Sequence, residues 1–183
     1  MKNFPEIIKD GDLELRHIEP TFENARMIFD ALSENRSRLE NYFNISFKID
    51  TIEQAYEYLK NNRIYMWAIF LRGEFCGEAG FGFICQPESL LKTTSWIIKK
   101  YEGTGLMTRA WKLLEKEAFD CGYNRIERLI FKGNVRSAKL AEKLGYVLDG
   151  VNRKARFNVN GENVDEMVFS KLKSEWEKEN KNA

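Results

Sequence analysis

One segment constrains the fold of this chain more than any other: WIIKKYEGTGLMTRAWKLLEKEAFDCGYNRIERLIF, Trp96 to Phe131. It opens on an apolar run and turns through Gly103-Thr104-Gly105. Leu106, Ala110, Leu113, Leu114, Ala118 and Phe119 then recur at the spacing of an amphipathic helix. Cys121-Gly122 stops that helix, and Arg125 to Phe131 reads as a strand. Strand, helix and strand in so short a span predict a βαβ unit with a right-handed crossover, with Trp96–Ile98 and Arg125–Phe131 as parallel neighbours.

The remaining segments must complete a sheet around that unit. Leu13 and Leu15 alternate with Glu14 and Arg16 in DLELRHI, a short strand that stops before Pro20. Phe22, Met27, Ile28, Ala31 and Leu32 have helical spacing in a segment expected to reach Phe43 and to break near Ser33-Glu34-Asn35. Thr51 caps a second helix carrying Ile52, Ala55, Tyr56 and Leu59. IYMWAIFLRGEFCGEAGFGFI reads as two strands around Arg72-Gly73, and Leu91 to Ile98 as a third, an antiparallel meander. Asn134 caps a further helix with Ala138, Leu140, Ala141 and Leu144 inward, and Gly145 closes it. YVLDGVNRKARFNV and ENVDEMVFS flank Asn160-Gly161 as a C-terminal hairpin, and the polar tail KLKSEWEKENKNA is expected to be a helix that frays. No repeat, linker or low-complexity tract divides residues 1–183, so a single α/β domain with a mixed sheet is expected. Trp67, Phe81, Phe83 and Trp111 are assigned to its core.

Charge and composition narrow the function. Lys+Arg total 29 against 28 Asp+Glu, a net charge of +1, which gives no nucleic-acid footprint and no polybasic membrane patch. The longest apolar run, Ile64 to Leu71, is far short of the ~20 residues that cross a bilayer, and the first residues lack a signal-peptide core. Cys76, Cys85 and Cys121 form no C-x-x-C pair and read as buried thiols of a reducing, cytoplasmic protein. With one histidine, His17, placed in a strand, no metal site is expected.

The turn before the central helix is therefore the first place to look for chemistry. A helix N-terminus offers unpaired N–H groups and the positive end of a dipole, and Gly103 and Gly105 let an anion approach the backbone. Thr108 can add a hydroxyl. A Walker-type loop needs Lys-Ser/Thr after its last glycine, and a dinucleotide fingerprint needs a third glycine at Thr108; neither is present.

Gly103-x-Gly105-Leu106-Met107-Thr108, Asn134-x-x-Ser137 and Ala141-Glu142-Lys143-Leu144-Gly145-Tyr146, in that order, resemble the Gcn5-related N-acetyltransferases, in particular the RimJ/RimL branch that acetylates protein N-termini. The resemblance runs from Leu13 to Trp176. It implies the acyl-coenzyme A N-acyltransferase (GNAT) fold, acetyl-coenzyme A as acetyl donor, and direct attack by a primary amine in a ternary complex. Gly103, Thr104, Gly105, Leu106, Met107 and Thr108 would hold the pyrophosphate, Trp96, Ile97 and Ile98 would pair with the pantetheine arm, and Asn134 would contact the coenzyme. Ser137 would return a proton to the leaving thiolate, as an alternative to merely capping its helix. The family's turn usually begins with Gln or Arg where this chain has Glu102.

The general base is left open by the same resemblance. Acids that serve in other members fall on Lys92 and Arg156 here, leaving Glu78, Asp149 and Glu166, each read first as a surface charge. Such a site suits an N-terminal α-amine, about a tenth of which is neutral at pH 7, better than a lysine. Tyr42, Phe43 and Phe47 lie where the acceptor-side loop runs and could line the cleft or the core, and Arg156 could position an acidic acceptor or a terminal carboxylate. Small amines stay open as acceptors, as does a homodimer. The runner-up is a pseudoenzyme of the same fold that holds coenzyme A or acts through protein contacts.

Overall fold

Asp10-Gly11 turns the chain back on itself directly after its first apolar pair. The computed structural model, which describes residues 3–40, 49–61, 65–85, 89–158 and 160–181, opens on the resulting hairpin. Its strands are β1 (Ile7–Asp10) and β2 (Leu13–His17), paired from Ile7 with Arg16 to Asp10 with Leu13. β1 adds to the strands expected from sequence: IIKD has no alternation of its own and becomes a strand by pairing.

Two helices follow. α1 (Phe22–Leu39) is capped by Thr21, whose hydroxyl accepts the Asn24 N–H at 3.1 Å. It runs unbroken through Ser33-Glu34-Asn35, correcting the expected break. Asn35 is buried, donates to the Ala31 carbonyl at 2.8 Å, and accepts the Lys99 backbone N–H at 3.0 Å, so a residue that competes with helix when exposed is satisfied inside this one. α2 (Ile52–Asn61) begins at Thr51 as expected, the threonine hydroxyl accepting from the Gln54 N–H.

β3 (Tyr65–Leu71), β4 (Glu74–Cys85) and β5 (Leu90–Ile97) form the antiparallel meander. After a 3₁₀ turn at Lys99–Tyr101 come α3 (Leu106–Asp120), β6 (Arg125–Phe131), α4 (Val135–Lys143), β7 (Val147–Phe157), β8 (Asn163–Leu172) and α5 (Lys173–Lys181). The single sheet has the order β1-β2-β3-β4-β5-β6-β8-β7, so the last strand inserts between β6 and β7. β5 and β6 are its parallel pair, as the βαβ reading requires.

Each face of the sheet carries its own core. Leu15, Trp67, Phe81, Leu91 and Ile126 pack under α3 through Ala110, Trp111, Leu114 and Ala118, and α4 joins them through Ala141. On the other face Met66, Ala68 and Trp96 meet Ile28, Leu32, Ala55 and Leu59 of α1 and α2. Phe83 is a correction to the expected core: it lies beyond a bulge in β4 and is 47% exposed. Cys76 and Cys121 are buried, whereas Cys85 is half-buried. α5 is docked rather than frayed, with Trp176 5.4 Å from the Phe119 ring and Glu179 2.7 Å from Lys171. Among the described residues no helix is long and apolar enough to cross a membrane.

Candidate active site

The parallel contact between β5 and β6 is confined to Leu90–Lys92 beside Arg125–Glu127. Trp96–Ile98 therefore does not lie against β6, which corrects the expected neighbour. The β4 bulge between Phe81 and Phe83 faces Thr93 and Lys92, and a bulge there increases local twist, so β5 swings away from β6 beyond Lys92. The strands enclose a cavity of about 1040 Å³, at the upper end of small-molecule and cofactor sites.

β5 turns only alternate backbone groups toward that gap. The Ile98 N–H donates to the Cys76 carbonyl of β4 at 2.8 Å, so Ser95 and Ile97 direct their N–H and C=O groups the other way. Arg38 meets the Ile97 carbonyl there, donating from Nη2 at 2.6 Å. Of the three expected β5 residues, Ile97 thus presents backbone, Trp96 lies on the wall, and Ile98 is spent on β4. Ser95 was missed, because strand parity cannot be assigned before pairing is known.

At the cavity's mouth lies the glycine turn. Gly103 and Gly105 have φ of 74° and 84°, left-handed values that suit glycine, and a Cβ on either would meet nothing within 4 Å. Gly105 opens α3 with no side-chain cap of its own; the Leu106 N–H is met by the Thr104 hydroxyl at 3.4 Å, and the next two residues, Met107 and Thr108, whose N–H groups the helix leaves unpaired, lie on the cavity wall. Thr104 and Leu106 are not on that wall: the Thr104 hydroxyl donates to the Tyr101 carbonyl at 2.7 Å, and Leu106 is buried in the core.

Glu102 does not stand bare beside this turn. Its Oε1 accepts from Arg38 Nη1 at 2.5 Å, and its Oε2 pairs with Arg136 Nη1. Across the gap Asn134 caps α4, its Oδ1 accepting the Ser137 N–H at 3.1 Å, and both residues line the cavity. The Ser137 hydroxyl sits in the helix's first turn, where the dipole favours an anion such as a thiolate.

Two of the three candidate bases, Glu78 and Glu166, are not the surface charges expected, whereas Asp149 is one. Glu78 is fully buried with its Oε2 bonded by the Trp96 indole N–H, and burial pushes its pKa up to about 7. Glu166 is buried and pairs with Arg156 Nε. Asp149 alone is exposed, and it is tied to Arg125 at 2.6 Å and to the Ser170 hydroxyl at 3.0 Å. None of the three is on the cavity wall, whereas Lys92 and Arg156 are. His17 lies at the β2 end, its Nδ1 3.4 Å from Glu6 and 3.5 Å from Glu19 without making a hydrogen bond. Tyr42, Phe43 and Phe47 lie outside the described residues.

A family model described as acetyltransferase (GNAT) domain matches residues 12–147. YdaF of Bacillus subtilis (strain 168), assigned as a ribosomal N-acetyltransferase, is 32% identical over 108 residues, and the match spans 58% of this chain and 58% of that protein. Among solved structures, RimL, the ribosomal L7/L12 alpha-N-protein acetyltransferase in complex with coenzyme A, superposes with a TM-score of 0.86 at 19% identity, covering 91% of this chain and 98% of its own. The microcin C7 self-immunity acetyltransferase MccE, in complex with acetyl-CoA and AMP, gives 0.82 at 19% identity, with 89% and 93% coverage. The ribosomal-protein-S5-alanine acetyltransferase of Vibrio fischeri gives 0.80 at 20% identity, with 93% and 98% coverage. At such identities the structural likeness is one of fold.

Proposed function

The chain belongs to the acetyltransferase (GNAT) domain family, and from that membership we propose that it transfers the acetyl group of acetyl-coenzyme A to a primary amine, the N-terminal α-amine of a protein. The observation that carries this reading is the glycine turn opening uncapped α3 into the cavity where β5 and β6 part. The names of YdaF and RimL, as ribosomal and alpha-N-protein acetyltransferases, support the choice of acceptor.

Acetyl-coenzyme A supplies a thioester electrophile and a thiolate leaving group. The chain's own groups suit both ends of it. The Gly103–Gly105 backbone and the α3 N-terminus favour a pyrophosphate, with Lys99 also on the wall. Ser95 and the Ile97 N–H offer strand-like backbone partners to an extended arm, the Ile97 carbonyl being met by Arg38. Ser137 is the group we assign to return a proton to sulfur, held in the first turn of α4 by Asn134. With no carboxylate among the three candidates on the cavity wall, proton removal falls to the fraction of amine already neutral, about a tenth for an α-amine at pH 7 against about 0.04% for lysine.

Thermal denaturation with coenzyme A tests the ligand: at 100 times Kd, binding stabilises a fold by about 2.7 kcal/mol. No shift at millimolar coenzyme overturns the reading. Thiol release with acetyl-coenzyme A and a peptide, but not with its N-terminally blocked form, tests the acceptor. A second reading, a coenzyme-holding module acting through partners, is favoured by the position of Glu78, Asp149 and Glu166 off the cavity wall and predicts the shift without thiol release.

A further inference from the structure

Two cations stand on the sheet face opposite α3, away from the helix start that suits the donor's phosphates. Ile126, Arg128 and Ile130 of β6 are buried on the α3 and α4 side, so the alternating Glu127 and Phe131 emerge on the side of α1 and α2. Lys92 reaches Glu127 at 3.9 Å and lies 5.2 Å from the Phe83 ring. Arg156 pairs through Nε with Glu166 and lies 5.6 Å from the Phe131 ring. In both pairs the carboxylate is the deeper partner, 14% and 6% exposed against 35% and 36% for the cations.

An incoming group therefore meets the ammonium and the guanidinium first. Both cations are on the cavity wall, while Glu127 and Glu166 are not. Arg156 spends Nε on Glu166, and no hydrogen bond to a described residue occupies its two Nη groups, which form a fork suited to a carboxylate. Apart from Glu102, itself engaged by two arginines, every charged residue on the described cavity wall is cationic.

We propose that Lys92 and Arg156 select acceptors carrying carboxylates next to the reacting amine, namely protein N-termini with aspartate or glutamate in the first few positions. This selectivity rests on the reading that the acceptor is an N-terminal amine entering from the α1 and α2 face. Phe83 and Phe131 flank the two cations and provide apolar contact for the peptide's backbone and side-chain stems.

The test uses three peptides identical except at positions two to four, which are acidic, amide or basic. Thiol release from acetyl-coenzyme A reports turnover, and calorimetric titration into the full chain saturated with coenzyme A reports binding. The acidic peptide is expected to exceed the amide peptide about tenfold in kcat/KM, mainly through KM, and in affinity, the effect of one charge-assisted hydrogen bond. The advantage should shrink at about 0.5 M salt. Arg156→Gln combined with Glu166→Gln leaves no buried carboxylate unpaired and should bring the acidic and amide peptides together, as should Lys92→Gln. Equal affinity of the wild-type chain for acidic and amide peptides overturns the selectivity. Tighter binding of the acidic peptide with no thiol release from any of the three supports the selectivity and overturns N-terminal transfer instead.

Discussion

The carboxylate of Glu102 accepts from the Arg38 guanidinium at 2.5 Å, and Arg136 closes on its other oxygen. A charge that in sequence opposes a phosphate at the turn is thereby neutralised by residues from α1 and α4. Removing it leaves two guanidiniums at the rim of an anion site. Glu102→Gln is expected to tighten coenzyme A binding about three- to tenfold at low salt, with the gain lost near 0.5 M salt. Calorimetry at two ionic strengths checks this, and unchanged affinity at low salt would mean that neither arginine reaches a phosphate.

Gly105 separates conformation from binding. Its φ of 84° makes Gly105→Ala strained by about 1 kcal/mol, yet the added methyl meets no protein atom. The variant should melt slightly below wild type and lose most of the stabilisation conferred by coenzyme A. A full ligand shift in the variant places the phosphates elsewhere.

Ser137→Ala should leave coenzyme A affinity within about twofold while kcat falls on the order of 10²-fold, the usual size of a lost general acid. The Asn134 cap bonds the Ser137 backbone N–H and survives the change, so a helix defect would not mimic the result. Undiminished turnover removes the serine from the mechanism.

Glu78 sets a pH dependence of stability. Its carboxyl holds a proton to about pH 7 in the fold but only to 4.5 when exposed, so in that window the unfolded chain binds fewer protons. Its contribution is therefore full below pH 4.5 and lost as pH rises toward 7, by roughly 3 kcal/mol. Glu78→Gln retains an acceptor for the Trp96 indole and should gain on wild type as pH rises from 5 to 8. A melting-temperature difference that stays constant over that range contradicts the buried carboxyl.

For transfer to an N-terminal amine, kcat/KM should rise about tenfold per pH unit below pH 7 and level off near pH 8, following the α-amine's own ionisation. A profile that keeps rising beyond pH 9 indicates a lysine acceptor.

The residues show which features could be read before pairing was known. Periodicity placed α2, α3 and α4 because their apolar stripes and caps are local, and Arg72-Gly73 placed the β3–β4 turn for the same reason. Asn35 hid the continuity of α1, since its partner Lys99 lies far along the chain. Phe83 looked like core because hydrophobicity does not reveal a bulge. The deepest misreading concerned charge: Glu78 and Glu166 resemble surface charges in sequence, and so do Glu115, Arg128 and Lys171, all of which are buried. Arg128 lies between Trp111 and Tyr146, at 4.1 and 4.8 Å from their rings, while Lys171 donates to the Leu144 carbonyl at 2.6 Å. The Gly103–Gly105 turn and the order of motifs were apparent, but the line where β5 leaves β6 was not, because it depends on a bulge in a third strand.

The insertion of β8 between β6 and β7 has a consequence for how the sheet is completed. β7 precedes β8 in the chain yet joins the sheet only through it, and β6 keeps one edge bare until β8 docks. A chain without Asn163–Leu172 carries open strand edges, the condition in which one polypeptide pairs with another. Truncation after Phe157 should therefore lower the soluble yield sharply, whereas removal of α5 alone leaves those edges paired.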